Sequence, residues 1–287
     1  MVPEGKIVPC ILCGGFGSRA LKKFLLRGQR LVLRRCNKDR LVYLSPRLEE
    51  IAQRAVYESD SLSNSGYYSS TFDEDAKTFM QRLELARRFG NPKSALDVGS
   101  SVGTFLHCCA QKGIKKLAGV ELNSASRDYA RKRFGISTSA AMPKSGKFDL
   151  VNLSDIIEHM QNPVEELKKL RKHMRKTSTL LISTPDYDNL IARLIQVKPE
   201  EHLYYFTKRT LRQALRMAGF RVLYMRNTSR TNTVKNLLGS TLPKKAHLLA
   251  VLRIILLLRI EKVVEAAFIN RANTDILALA QPLKRVK

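Results

Sequence analysis

The sequence predicts an α/β fold, a doubly wound and mostly parallel sheet with helices on both faces, preceded by a small ribbon-like amino-terminal region. Three observations predict it. From residue 93 onward, short apolar runs of strand length alternate with longer stretches of helical periodicity, the pattern of βαβ units. Glycines close two of the helical stretches, at Gly113 and Gly135. Finally, the run "SALDVGSSVGTFLHCC" (94–109) passes from a strand through Asp97, Gly99 and Gly103 into an apolar helix. Such a turn lies at the carboxyl edge of a parallel sheet, where these folds bind ligands.

The elements follow in order. A helix begins at Thr71, where Glu74 three residues on predicts a capping box; Phe79, Leu83 and Ala86 recur at helical spacing, and Asn91 and Pro92 end it. "ALDV" reads as a strand and "TFLHCCAQKG" as a helix, with adjacent Cys108 and Cys109 expected in the core. "KLAGVEL", "FDLVNLSD", "STLLISTPD" and "RVLYMRN" are strands; "SASRDYARKRFG", "PVEELKKLRKHMRK" and "TLRQALRMAGF" are the helices between them. Tyr204, Tyr205 and Phe206 fit either the wall of an acceptor pocket or a strand with one buried face.

Gly99 and Gly103 let the backbone turn sharply and approach a ligand closely, while the following helix offers free N–H groups. A dinucleotide site requires G-x-G-x-x-G, but Ser101 and Thr104 occupy its second and third glycine places; a phosphate-binding loop requires Gly-Lys-Ser/Thr. Asp97 before the first glycine suits a cationic or amino-bearing ligand better than a pyrophosphate. Glu121, at the end of the next strand, stands where an acid accepts both hydroxyls of a ribose. The pair points to an adenosyl ligand without phosphates.

"LDVGSSVGTFL", "GVELN", "FDLVNLSDIIEHMQNP", "LLISTPDYDNLIARL" and "EEHLYYFTKRTLRQALRMAGF", in this order, resemble a class I S-adenosylmethionine-dependent methyltransferase, and are most similar to the ubiquinone-biosynthesis type of O-methyltransferase. The likeness covers residues 65 to 230, and "TDILALAQPL" resembles the strand that these Rossmann-like folds insert antiparallel near their edge. The resemblance implies that Asp97, Gly99, Ser101 and Gly103 line the methionine end of the cofactor. It places Glu121 on the ribose, Leu122 beside the adenine and Asp155 near the bound cofactor. Ser101 replaces the usual middle glycine, and "ISTSAAMPKSGK" lacks the acid that often meets the adenine amino group, leaving Ala140 and its neighbours only backbone to offer. Tyr67 and Tyr68 either close over the cofactor's carboxylate or pack the linker.

A sulfonium methyl is already electrophilic, so such an enzyme mainly aligns an acceptor and removes its proton. Glu158 and His159 follow a strand end in "DIIEHMQNP", and His202 in "PEEHLYYFT" sits in a loop expected to close over the acceptor. His159 and His202 are the candidate bases, with Glu158 beside them. The same three residues also suit loop-orienting hydrogen bonds or a divalent ion.

Cys10 and Cys13 form a C-x-x-C knuckle, and Cys36 and Asp39 take the places of a second. "RLVLRRCNKDRLVYLSPR" resembles the zinc ribbon that precedes this methyltransferase domain in many relatives, where the fourth ligand is cysteine. A Cys₃Asp zinc site and a metal-free remnant packed by Leu12, Val32, Leu33 and Val42 are the alternatives. The expected division is a ribbon over 1–60, a methyltransferase domain over 61–233 plus 271–287, and a basic apolar helical insertion over 234–270.

The chain carries 51 Lys and Arg against 25 Asp and Glu, a net charge of +26. This favours anionic partners and excludes none of nucleic acid, membrane or acidic metabolite. No basic segment followed by an apolar run and a small-residue cleavage site opens the chain, which predicts a cytoplasmic protein, and five cysteines are too few and too uneven for a disulfide scaffold. The apolar run from Leu248 to Leu258 would span about 16 Å as a helix, against roughly 30 Å of hydrocarbon. A helix lying in a membrane surface, a lid over a greasy acceptor and a dimer or core contact are the alternatives; the basic flank, Lys244 and Lys245, favours the surface of an anionic membrane, and hence a peripheral enzyme. The expected acceptor is a small or lipid-linked, anionic molecule methylated at oxygen. A nucleic-acid methyltransferase is the alternative, although no Asn-Pro-Pro-Tyr-like motif follows "NLSD"; a non-catalytic binding protein is the third reading.

Overall fold

A computed structural model of the chain describes residues 5–26, 28–48, 71–230 and 272–283, together with the single residues 250, 254, 259 and 262. The amino-terminal part forms β1 (Ser18–Leu26), β2 (Gln29–Cys36) and β3 (Val42–Leu44). There follow α1 (Phe72–Arg87), β4 (Ser94–Val98), α2 (Thr104–Gln111), β5 (Lys116–Val120), α3 (Ser124–Phe134), β6 (Thr138–Ser139) and β7 (Phe148–Ser154). The remainder is α4 (Pro163–Leu170), β8 (Met174–Pro185), α5 (Leu190–Gln196), β9 (Tyr204–Tyr205), α6 (Lys208–Met217), β10 (Phe220–Thr228) and β11 (Asp275–Pro282).

Seven strands form one sheet in the order β10-β11-β8-β7-β4-β5-β6. β11 runs antiparallel to both its neighbours, and the pairs β4–β5, β4–β7, β5–β6 and β7–β8 are parallel, as the sequence predicts. Helices cover both faces, so adjacent strand residues enter different cores. Ala95, Leu150 and Leu181 join Phe105, Leu106, Cys108 and Cys109 on one side. Leu96, Val151 and Leu180 join Leu167, Leu211 and Leu215 on the other.

Local chemistry explains most element ends. The Asn123 side chain accepts the Ser126 N–H at the start of α3, and Gly135 closes that helix in the left-handed conformation at φ 68°. Pro163 occupies the first turn of α4 behind an Asn162 cap, and Thr207 and Thr210 form a reciprocal capping box on α6. Two expectations fail. Thr71 caps no backbone N–H, because its backbone, at φ −97° and ψ 7°, is not in the extended conformation that aims an N-cap side chain back at the helix; its hydroxyl donates to Asp75 at 2.7 Å instead, and the predicted box with Glu74 does not form. The basic helix from Pro163 stops at Leu170 and gives way to a 3₁₀ turn, since Met174 is buried opposite Phe148 as the first residue of β8. Packing of one apolar side chain outweighs the helical propensity of the lysines and arginines around it.

A second, four-stranded antiparallel sheet has the order β1-β2-β3-β9. Its last strand comes from the larger domain: Val42 pairs with Tyr205 and Tyr43 with Tyr204. Arg47 reinforces the joint, donating to the Tyr204 hydroxyl at 3.0 Å and to Gln161 Oε1 at 2.7 Å. Val8, Cys10, Cys36 and Tyr43 share a core with the parallel sheet. The expected domain boundaries, Tyr67, Tyr68 and nearly all of the apolar run 248–258 lie outside the described residues. Among the described residues no helix is long and apolar enough to cross a membrane.

Candidate active site

At the end of β4 the chain turns through Gly99 at φ 74°, Ser101 at φ 46° and Gly103 at φ 85°. A Cβ on Gly99 would stand 2.1 Å from Ile156 Cδ1, so close packing against the neighbouring loop adds to the backbone requirement for glycine. Ser101 adopts the left-handed conformation a middle glycine would favour, a strain of about 1–2 kcal/mol for an L-residue. Glu121 holds the turn in that shape. Its two carboxylate oxygens accept the N–H of Ser101 at 2.8 Å and of Asn123 at 2.7 Å, clamping the loops after β4 and β5 together.

Asp97 is buried, and Asn152 Nδ2 donates to it at 2.7 Å. Burial drives the Asp97 carboxyl up to about 7; the Glu121 charge adds to this, and the Asn152 hydrogen bond opposes it. Leu122, next after Glu121, stands largely exposed. Ser101 Oγ is buried without a hydrogen-bond partner among the described residues, and so is Ser100 Oγ, which faces Gly119 of β5.

The second half of the site follows β7. Asp155 turns at φ 56° into a 3₁₀ turn, Ile157–His159, that carries Glu158 and His159. Glu158 is buried; Thr184 Oγ1 donates to Oε2 at 2.9 Å, and Oε1 has no partner. Burial, helped by the Asp155 charge, raises its carboxyl to about 8. His159 Nδ1 lies 3.0 Å from the Glu201 carbonyl and His202 Nδ1 2.9 Å from that of Gln196. A carbonyl only accepts, so each Nδ1 carries the proton and each Nε2 the lone pair. The two rings meet edge to face at 4.7 Å, and ligating atoms of Glu158, His159 and His202 all lie within 4.8 Å of one another.

The structure therefore brings the three predicted residues together, with two changes. His202 is buried rather than poised on an open loop. Burial also lowers His159 to about 4 and His202 well below the ordinary imidazole value, making both weak bases and leaving Glu158 the strongest proton acceptor of the cluster.

Six further residues join the halves, none singled out from sequence. Ser154 donates to Asn152 at 2.8 Å and Asn152 to Asp97, a continuous chain from one strand end to the next. Arg230 forms ion pairs with Asp155 and with buried Asp275, and Arg82 bonds Asp275 at 3.4 Å and Ser183 at 2.8 Å. Asn152 had a signal, a polar residue inside the apolar run of "FDLVNLSD"; Arg82, Arg230 and Asp275 meet only through tertiary contact.

Away from this site, Cys10, Cys13, Cys36 and Asp39 also converge within 4.8 Å. Cys13 Sγ lies 3.6 Å from Cys36 Sγ, and Asp39 Oδ2 stands 3.9 Å from both Cys10 and Cys36. Sulfurs around tetrahedral zinc at 2.3 Å are about 3.8 Å apart, so the donor set fits the ion. Gln213 on α6 donates to the other oxygen of Asp39 at 2.7 Å, the outer hydrogen bond a ligating carboxylate needs. Burial pushes the Cys10 thiol up to about 12, so thiolate there depends on a cation.

Residues 72–225 match the family described as "Methyltransferase domain". The chain belongs to that family. Fold and family together make this protein a class I S-adenosylmethionine-dependent methyltransferase. Solved structures share the fold at low identity. A putative methyltransferase complex with the Trm112 activator from Haloferax volcanii matches at TM-score 0.57 and 14% identity, over 80% of this chain and 98% of that one. A S-adenosylmethionine-dependent methyltransferase from Archaeoglobus fulgidus matches at 0.50 and 20%, over 75% and 99%. The plantazolicin methyltransferase BamL, solved with a triazolic desmethylPZN analog and S-adenosylhomocysteine, matches at 0.50 and 14%, over 82% and 98%.

Proposed function

We propose that this methyltransferase acts on a small or lipid-linked acceptor of anionic, amphipathic character, at an oxygen atom. The observation that carries the reading is Glu158: a buried carboxyl, raised to about 8, with one oxygen unpartnered beside two imidazoles kept neutral by burial. A carboxylate of that basicity is suited to take the proton of a hydroxyl. S-Adenosylmethionine, when bound, supplies an activated methyl group. Asp97 offers a carboxylate to its cationic methionine end, Ser101 and Gly103 give backbone and space, Glu121 accepts ribose hydroxyls, Leu122 covers the adenine, and Asp155, held by Arg230, lies beside the reacting centre. His159 and His202 orient Glu158 and the acceptor. The anionic character of the acceptor rests on the charge of +26.

A second reading of the same cluster has an observation of its own. Both imidazoles donate Nδ1–H to backbone carbonyls, the arrangement that fixes metal-ligating histidines, and Glu158 completes a three-residue set for a divalent ion. At the amino terminus we infer a structural zinc held by Cys10, Cys13, Cys36 and Asp39.

The acceptor is found by incubating the enzyme with methyl-labelled S-adenosylmethionine and a cell extract, then separating lipid, aqueous and nucleic-acid fractions. Label in the lipid or small-molecule fraction is expected; label confined to RNA or DNA would replace this reading with the nucleic-acid one. Calorimetry with S-adenosylhomocysteine tests the non-catalytic alternative, which predicts no binding.

A further inference from the structure

Between Gly5 and Lys38 the chain carries nine Lys and Arg and no Asp or Glu. The fold gathers most of them on the β1–β2 hairpin, and among the described residues β1 is an edge strand with no neighbour on its outer side. Arg19 stands directly opposite Arg35 in the ladder, a like-charge pair that destabilises an isolated sheet. Arg19, Lys22, Lys23 and Arg30 are exposed, and among the described residues neither they nor Arg35 form an ion pair.

The same strand also exposes aliphatic side chains. Leu25 is 69% exposed, directly opposite Arg30 and on the same face as Lys23; Leu21 bulges out of the ladder and is also exposed. Phe24 points the other way, into a small core with Tyr205, Tyr187 and Val197, and Lys22 stacks over its ring at 5.2 Å. Tyr205 in turn lies 6.0 Å from the ring of His202. The hairpin is thus built onto the wall of the candidate active site. On the far side of Tyr187, α5 exposes Leu190 and Ile191.

We propose that the β1–β2 hairpin docks the enzyme on an anionic bilayer. Its cations meet lipid headgroups, and Leu21 and Leu25 enter the headgroup boundary. The leucines decide between anionic partners, because they gain burial in lipid and nothing on a phosphodiester backbone. Docking here brings the acceptor-binding wall next to the lipid surface. The inference deepens the lipid-linked acceptor reading and rests on it, but vesicle binding needs neither acceptor nor cofactor, so the two fail separately.

The test is co-sedimentation of the full chain with vesicles of phosphatidylcholine alone or mixed with phosphatidylglycerol. The wild type should pellet with the mixed vesicles only, and be released by high salt. Reversing Lys23 and Arg30, the cations on the Leu25 face, to Glu should weaken that binding at least tenfold, Leu21→Ser with Leu25→Ser severalfold, and both variants should bind S-adenosylhomocysteine like the wild type. If charge reversal impairs folding, the milder Gln substitutions at the same two positions replace it. A wild type that stays in the supernatant with mixed vesicles, or a folded charge variant that pellets unchanged, overturns the proposal. So does an indifferent leucine pair combined with displacement by single-stranded RNA, which would make the hairpin a nucleic-acid surface.

Discussion

At the end of β4 the site is made largely of backbone: a left-handed turn whose N–H groups rest on Glu121, with one buried carboxyl beneath. At the end of β7 it is made of side chains, with Asp155, Glu158, His159 and His202 packed together and tied down by Arg230, Thr184 and two carbonyls. The first arrangement fixes a shape and waits for a ligand to bring charge. The second stores its own charge and proton-binding capacity in a dry environment, where each group's protonation depends on its neighbours. In the function proposed above, the halves divide recognition from chemistry.

The largest expected effect tests whether the side-chain half depends on its buried ions. Arg82→Ala removes one of the cations paired with buried Asp275, takes the donor from Ser183 and leaves a cavity in the core, and together these losses should cost about 3–5 kcal/mol in denaturant unfolding. A loss under about 1 kcal/mol would mean the network is dispensable.

Next comes Asp97. Its carboxyl holds a proton up to about 7 in the folded chain, against 3.8 ordinarily, so the folded state binds more protons than the unfolded between these values. Stability should therefore fall as pH rises from about 4 to 7, by on the order of 4 kcal/mol, and level off above. Asp97→Asn should flatten that slope, raise the melting temperature at pH 8 and weaken cofactor binding. In the wild type, affinity for S-adenosylmethionine should rise through pH 7 as the carboxylate forms; a pH-independent affinity would separate Asp97 from the ligand's charge.

The halves should also separate kinetically. Glu158→Gln should lower kcat at least about a hundredfold while affinity for S-adenosylhomocysteine stays within about twofold. Equal losses in both would place Glu158 in the binding half.

How much of this was legible in the sequence follows the same division. Asp97, Gly99, Ser101, Gly103 and Glu121 lie at the ends of β4 and β5 and in the turn after β4, and local turn chemistry suffices to place them there. The strand–helix alternation was legible for the same reason, and even the antiparallel β11 could be placed by resemblance. Burial was not legible: "PEEHLYYFT" reads as a polar loop, yet His202 lies inside because β9 pairs with β3 from the other end of the chain. Arg82, Arg230 and Asp275 are far apart in sequence and have no common periodicity. Thr71 shows the opposite failure, a local motif that is present in the sequence but not formed, since the Thr71 backbone is not extended.

A smaller effect concerns the amino-terminal cluster. Purified without chelator, the protein should hold about one equivalent of zinc, and Asp39→Cys should slow its loss to chelator by roughly tenfold, thiolate being the preferred fourth ligand. Absence of metal would reduce the ribbon to packing.

In the proposed function, the turns after β4 and β5 bind the adenosyl cofactor through Glu121. Calorimetric titration of S-adenosylhomocysteine into the wild type and Glu121→Ala tests it most directly. The account predicts binding at one site and an affinity at least tenfold weaker in the variant, about 1.4 kcal/mol or more for the lost ribose contacts and loosened turn. An affinity unchanged by the substitution would contradict it.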